Sequence, residues 1–219
     1  MDITLFSILS IGFLLGIKHA IEPDHVIAVS TIASKSKKLW QSTLAGVFWG
    51  IGHTATLFIV GLILIAMKNE ISDKMSMSLE FVVGIMLVYL GVTNIINFRN
   101  KKLQDHLPNE QKGNKMSYLK STAIGLVHGL AGSAAMVLLT MTIVDTFWEA
   151  AVYILVFGIG TILGMLFFTT ILGIPFVISS KKYNVNRVLA LFAGGVSLVF
   201  GIYYMYNLGV TEGLFSLWI

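Results

Sequence analysis

No cysteine occurs anywhere in the 219 residues, only three residues are proline, and charged side chains make up 12% of the chain. Each scarcity excludes something. Without cysteine there are no disulfides, no thiolate metal ligands and no thiol redox chemistry, so a membrane thiol carrier is ruled out. Soluble domains carry about 25% charged residues, and this chain has too few to face water all round. No nucleotide-binding motif is present. No His-Glu-x-x-His spacing supplies the ligands and base of an intramembrane metalloprotease, and nothing else in the chain reads as an enzyme. The N-terminus does not read as a cleavable signal peptide. It lacks a basic leading region, carries Asp2, and its apolar run ends in Lys18-His19.

What is present is apolar sequence. Hydrophobic residues make up 56% of the chain, and the mean hydropathy is +0.83. At roughly 20 residues per span there is room for six or seven spans and for no separate soluble domain. The apolar runs predict six spans, at about 3–34 (interrupted), 40–67, 78–98, 119–143, 148–180 and 188–209. Lys35, Lys37 and Lys38 follow the first, Arg99, Lys101, Lys102, Lys112, Lys115 and Lys120 surround the loop after the third, and Lys181, Lys182 and Arg187 follow the fifth. Alternating spans put all of these on one side. The other side carries Asp2, Glu70, Asp73, Asp145, Glu149 and Glu212, with only Lys68 and Lys74. By the positive-inside rule the basic loops face the cytoplasm and both termini lie outside. The net charge of +4 is therefore loop topology and not a nucleic-acid footprint. These patterns predict an all-α, multi-pass protein of the cell (cytoplasmic) membrane, with the lipid bilayer as its partner. They do not fix the oligomeric state.

A shift of 109 residues lays Gly16-Ile17-Lys18-His19 over Gly125-Leu126-Val127-His128, Val47-Phe48 over Val156-Phe157, and Leu57-Phe58 over Leu166-Phe167. A shift of 110 lays Gly84 over Gly194 and Gly91 over Gly201. Three spans per half is an odd number, so the halves enter the membrane in opposite directions. The chain reads as one transmembrane domain of two inverted three-helix repeats, about 1–99 and 119–219, joined by a basic cytoplasmic linker at about 100–118. His106 is the linker's only histidine and reads as a solvated loop residue. Inverted repeats place substrate sites near the midplane at broken helices. Pro23, and in the second half Gly129, Gly132 and Ser133, are where breaks are expected.

The chemistry concentrates in Lys18-His19-Ala20-Ile21-Glu22-Pro23-Asp24-His25, inside the first span. Each charge at a helix centre costs about 2.5–3.5 kcal/mol unless it finds a partner. A divalent cation held by imidazole and carboxylate is an economical partner, and Lys18 is placed to neutralise a carboxylate. His53 lies about 21 Å, and His128 about 14 Å, along straight helices from the inner ends of their spans, so both reach the midplane with His19. On an unbroken helix His19, Asp24 and His25 diverge in direction. Either the helix unwinds around Pro23 or Asp24 serves another partner such as Lys18. The donor set suits Ni, Co or Zn and disfavours Cu(I). A lone histidine in a transmembrane helix is more often a helix–helix hydrogen-bond donor than a ligand, an order that the His19, Asp24 and His25 cluster with Glu22 reverses, whereas Met136 and Met165 read as core packing. The candidate metal ligands are His19, Asp24, His25, His53 and His128, with Glu22 tuning charge.

The Lys-His-x4-Asp-His segment resembles the signature of the nickel/cobalt permease family (NicO, including its urease-accessory-type members), in which this motif is the metal-binding element. Phe48-Trp49-Gly50-Ile51-Gly52-His53-Thr54 resembles that family's second motif, and Gly125 to Ser133 is similar to the opening of the second half in the shorter members. The resemblance covers about residues 12–170. It departs from the longer permeases, which have eight spans and an Arg-His-Ala-Phe-Asp-Ala-Asp-His segment. It also departs from the efflux members, which carry a histidine-rich loop. What the resemblance implies is a permease importing Ni2+, or Co2+, with the transported ion as its divalent metal partner and no other cofactor. An exporter and a non-transporting protein that delivers metal at the membrane are the alternatives.

Overall fold

The computed structural model describes residues 3–67, 72–100, 110–144 and 146–219. Among these every regular element is helical: α1 (Ile3–His19), α2 (Pro23–Ala33), α3 (Leu39–Met67), α4 (Asp73–Asn100), α5 (Glu110–Ile143), α6 (Phe147–Ser179), α7 (Tyr183–Tyr206), a π-helical turn (Asn207–Thr211) and α8 (Leu214–Trp218). Four of the described helices are individually long and apolar enough to cross a bilayer: α3, α4, α6 and the stretch holding α7. The α1–α2 pair, bent by 55° at its break, makes a fifth. The protein is a polytopic all-α membrane protein. Exposed Phe, Ile, Leu and Val side chains line its outer faces, and Trp40, Trp148 and Trp218 stand exposed at helix ends, where indole favours the interface.

The first span breaks earlier than expected. Ile21 and Glu22 donate to the carbonyls of Lys18 and His19 in a tight turn, and α2 then starts at Pro23. Proline at the first helical position loses no hydrogen bond and comes with the right φ. Pro23 therefore starts a helix rather than interrupting one. The second half has no matching break. α5 is continuous through Gly129, Gly132 and Ser133, correcting the expectation of an unwound segment there. Its glycine at 129 serves close packing instead, since a Cβ on Gly129 would strike the His53 carbonyl. α5 also reaches back to Glu110, into the stretch read as linker, whereas residues 101–109, with His106, lie outside the described residues. α6 begins in a capping box, with Glu149 N–H donating to Thr146 Oγ1 and the Glu149 side chain accepting from Thr146 N–H.

Glycine contacts give the helix directions. Gly12, Gly16 and Gly164 on α1 and α6 meet Tyr153, Phe157 and Ala20 in rising order, so these helices run parallel. Gly125 against Trp49, Gly129 against His53 and Gly132 against Leu57 make α3 and α5 parallel as well. Gly50 against Ile162 and Gly158 against Thr54 set α3 antiparallel to α6. Gly84 against Gly201 and Gly91 against Gly194 do the same for α4 and α7. The helices thus form a central group α1, α3, α5 and α6 and a flanking pair α4–α7, with α2 against α4, α6 and α7. A buried polar link ties that junction. Asn94, fully buried, donates to the Ala190 carbonyl at 2.9 Å, and Ser34 Oγ donates to Asn94 Oδ1 at 3.0 Å.

Candidate metal site

The break between α1 and α2 turns His19 back toward residues that follow it by only a few positions. His19 ends α1, while Asp24 and His25 lie in the first turn of α2, so three side chains that would diverge on one helix face a common space. α3 brings His53 and α5 brings His128 into the same space. Ring centroids lie 4.4 Å apart for His19–His25, 5.1 Å for His19–His53, 4.2 Å for His25–His128 and 5.8 Å for His53–His128. His25, His53 and His128 are buried to 1–2% exposure. Two donor sets share His25. His19, His25 and His53 form one, Asp24, His25 and His128 the other, and within each the ligand atoms lie within 4.8 Å of one another.

The hydrogen bonds are consistent with one neutral tautomer for each ring. His19 Nδ1 lies 2.8 Å from Glu22 Oε2 and His128 Nε2 2.7 Å from Asp24 Oδ2. His25 Nδ1 makes a longer contact of 3.4 Å to Asp24 Oδ1, and His19 Nε2 lies 3.0 Å from His53 Nε2. Carboxylates only accept, so His19 donates through Nδ1, His128 through Nε2 and His25 through Nδ1. His19 Nε2 is then a lone pair, and His53 Nε2 must be its donor. Each ring's other nitrogen is left as an acceptor. Three of these, His25 Nε2, His53 Nδ1 and His128 Nδ1, are buried with no hydrogen-bond partner. A buried polar atom left unpaired costs about 1–3 kcal/mol. Three such lone pairs occur in one cluster, whose His19/His25/His53 and Asp24/His25/His128 groups are spaced to hold a cation. Glu22 is nearly half exposed and is held against His19 Nδ1.

The described chain matches the family model described as the cytochrome c biogenesis protein transmembrane region over residues 7–203. The chain belongs to that family. A urease accessory protein, UreH, of Bacillus sp. strain TB-90 is 58% identical over the whole chain and 99% of that protein. A Methanocaldococcus jannaschii protein named as a nickel/cobalt efflux system is 28% identical over 88% of this chain and 89% of its own. The Arabidopsis thaliana chloroplast protein FOR GROWTH AND FERTILITY 1 is 26% identical over 74% of this chain and 48% of its own. No solved structure matches. Within this family the present chain, with zero cysteines, has no means of thiol chemistry.

A cavity of about 340 Å3 adjoins the cluster, lined among others by His19, Glu22, Asp24, His25 and His128. Lys18 lines it too, but is exposed and pairs with no carboxylate among the described residues, contrary to the neutralising role expected from the sequence. Asp24 turns to His128 and His25 instead. Two further lining residues, Glu80 of α4 and Tyr204 of α7, escaped the sequence reading, which took residues 78–98 as an uninterrupted apolar run. A single acidic residue at position 80 was the available signal.

Proposed function

We propose that this protein is a transition-metal permease of the nickel/cobalt (NicO) type, importing Ni2+, or Co2+, through the His19, Asp24, His25, His53 and His128 cluster. The three buried, unpartnered imidazole nitrogens carry this reading. Neutral imidazoles with one carboxylate and no thiolate are the donors that first-row divalent ions such as Ni, Co and Zn take. His19 would hold the ion through Nε2 while Glu22 fixes its ring, and Asp24 would supply charge while orienting His25 and His128. The name of one relative, a nickel/cobalt efflux system, points to the same pair of metals.

The transport frame is six spans in two inverted repeats. The glycine contacts support it, because exchanging the halves turns one contact into another. Gly16 against Phe157 answers Gly125 against Trp49, Gly160 against Phe13 answers Gly52 against Thr122, and Gly84 against Gly201 answers Gly194 against Gly91. Parallel α1–α6 and α3–α5 with antiparallel α3–α6 and α4–α7 are the directions that six alternating spans require, with α5 as the sixth. The cluster then lies where α1–α2 and α5, equivalent under that exchange, approach one another. The termini are placed outside and the basic loops in the cytoplasm.

The M. jannaschii relative's name favours a second reading, export by the same site. Uptake of radioactive nickel by cells expressing the wild type, His19→Ala and Asp24→Asn, with Co2+ and Zn2+ as competitors, tests the proposal. Uptake by the wild type that both variants lose at normal membrane abundance supports import. No uptake by the wild type, with metal still bound by the purified protein, moves the function to export or delivery.

A further inference from the structure

Glu80 is a carboxylate inside the third apolar span, between Leu79 and Phe81. It lies about 10 Å along α4 from that helix's start at Asp73. Among the described residues no Lys or Arg pairs with it. Its partners are hydroxyls: Tyr204 Oη donates to Oε2 at 3.1 Å and Ser76 Oγ to Oε1 at 3.4 Å. An unpaired carboxylate at this depth is costly, which makes it a functional candidate in its own right. Its place is not random. Glu80 and Tyr204 line the same cavity as the histidine cluster, and they approach it from the end of the bundle where α4 starts and α7 finishes. Much of the wall there is apolar, with Leu15, Val83 and Phe157, while His25, which lines the cavity too, keeps its buried Nε2 unpartnered.

We infer that Glu80 is a staging carboxylate for the divalent cation. Held by Tyr204 on one oxygen, it would take a partly hydrated ion at the mouth of the cavity and pass it to the imidazoles. This rests on the reading of the cluster as the metal site. A staging group lowers the barrier in both directions without belonging to the final ligand set. Its removal therefore slows arrival and departure together, whereas removal of a resident ligand speeds departure.

The test is stopped-flow mixing of Ni2+ with the purified full chain in detergent. The signal is quenching of Trp49, whose ring lies 5.1 Å from that of His25 and 5.2 Å from that of His128. Fields focused in charged clefts change association rates 10-fold or more, so Glu80→Gln is expected to slow association and dissociation about tenfold each, with the equilibrium affinity changed less than about threefold. Glu80→Asp, which keeps the charge, should restore most of the rate. Unchanged rates in Glu80→Gln overturn the inference, and so does a large loss of affinity through faster dissociation, which would make Glu80 a resident ligand. His19→Ala and Asp24→Asn, measured alongside, address the underlying reading. If both bind Ni2+ like the wild type, the cluster is not the site and the staging role falls with it. If both lose binding and Glu80→Gln behaves like the wild type, only the staging role fails.

Discussion

Replacing Asp24 by asparagine leaves the volume of the side chain nearly unchanged and alters what it can accept. In the wild type both carboxylate oxygens accept from rings, Oδ2 from His128 at 2.7 Å and Oδ1 from His25 at 3.4 Å. Asparagine has one acceptor oxygen, so one of those rings would face an NH2 group and have to reverse its tautomer. That ring's unpartnered nitrogen then carries a proton and is lost as a ligand. Removing a group that orients a metal ligand typically weakens binding 10–100-fold. The charge is lost as well. For a cation about 4 Å away at an effective dielectric constant of about 20, each unit of its charge interacts with the carboxylate by about 4 kcal/mol before desolvation is subtracted. Together these give an expected rise in Kd of about 100- to 1,000-fold, equivalent to about 3–4 kcal/mol. Isothermal titration of Ni2+ into detergent-purified protein measures it, with a thermal melt to show that the variant is folded. A folded Asp24→Asn protein binding within about threefold of the wild type would refute the argument, because neither the tautomer network nor the charge would then matter.

Glu22→Gln should be milder, about tenfold in Kd, because Glu22 acts only through His19 and is nearly half exposed; a loss as large as that of Asp24→Asn would make it a direct ligand. Lowering pH protonates imidazoles, and each proton must leave before its nitrogen can coordinate. Nickel affinity should therefore fall as acid protonates the cluster, and isothermal titration of Ni2+ across a pH series checks it. Gly52→Val and Gly160→Val should each destabilise by about 1–3 kcal/mol, because their side chains would meet the Thr122 and Phe13 carbonyls; melting temperatures test whether the two equivalent positions respond alike. The cysteine-free chain also makes topology directly measurable. Ser72→Cys should react with an impermeant maleimide on intact cells and Ser180→Cys only after permeabilisation, and the opposite pattern would reverse the orientation.

Those parts of the fold that the bilayer dictates could be read from composition. Lipid demands long apolar helices, so the bounds of α3 (Leu39–Met67) and α6 (Phe147–Ser179) follow closely from where apolar sequence begins and ends. The start of α5 at Glu110 did not, because Glu110-Gln111-Lys112 has no apolar stripe, and a polar helix and a polar loop look alike at that resolution. The site divides the same way. His19, Asp24 and His25 were visible as a cluster since their spacing is local, and helix geometry left two options, a break around Pro23 or another partner for Asp24. Only the three-dimensional arrangement assigns Asp24 to His128, 104 residues away, and gives Lys18 no carboxylate among the described residues. The repeat relates Lys18-His19 to Val127-His128, so it places His128 at the equivalent of His19, but equivalence under a shift is not proximity. Proximity requires the two equivalent segments to approach one another, and the close α3–α5 and α1–α6 packing at glycines brings that about. Glu80 marks the limit of reading by averages. One carboxylate barely changes the hydropathy of a 28-residue helix, yet its cost in lipid is local, and what offsets that cost, Tyr204 and a cavity shared with His19, His25 and His128, lies on other helices.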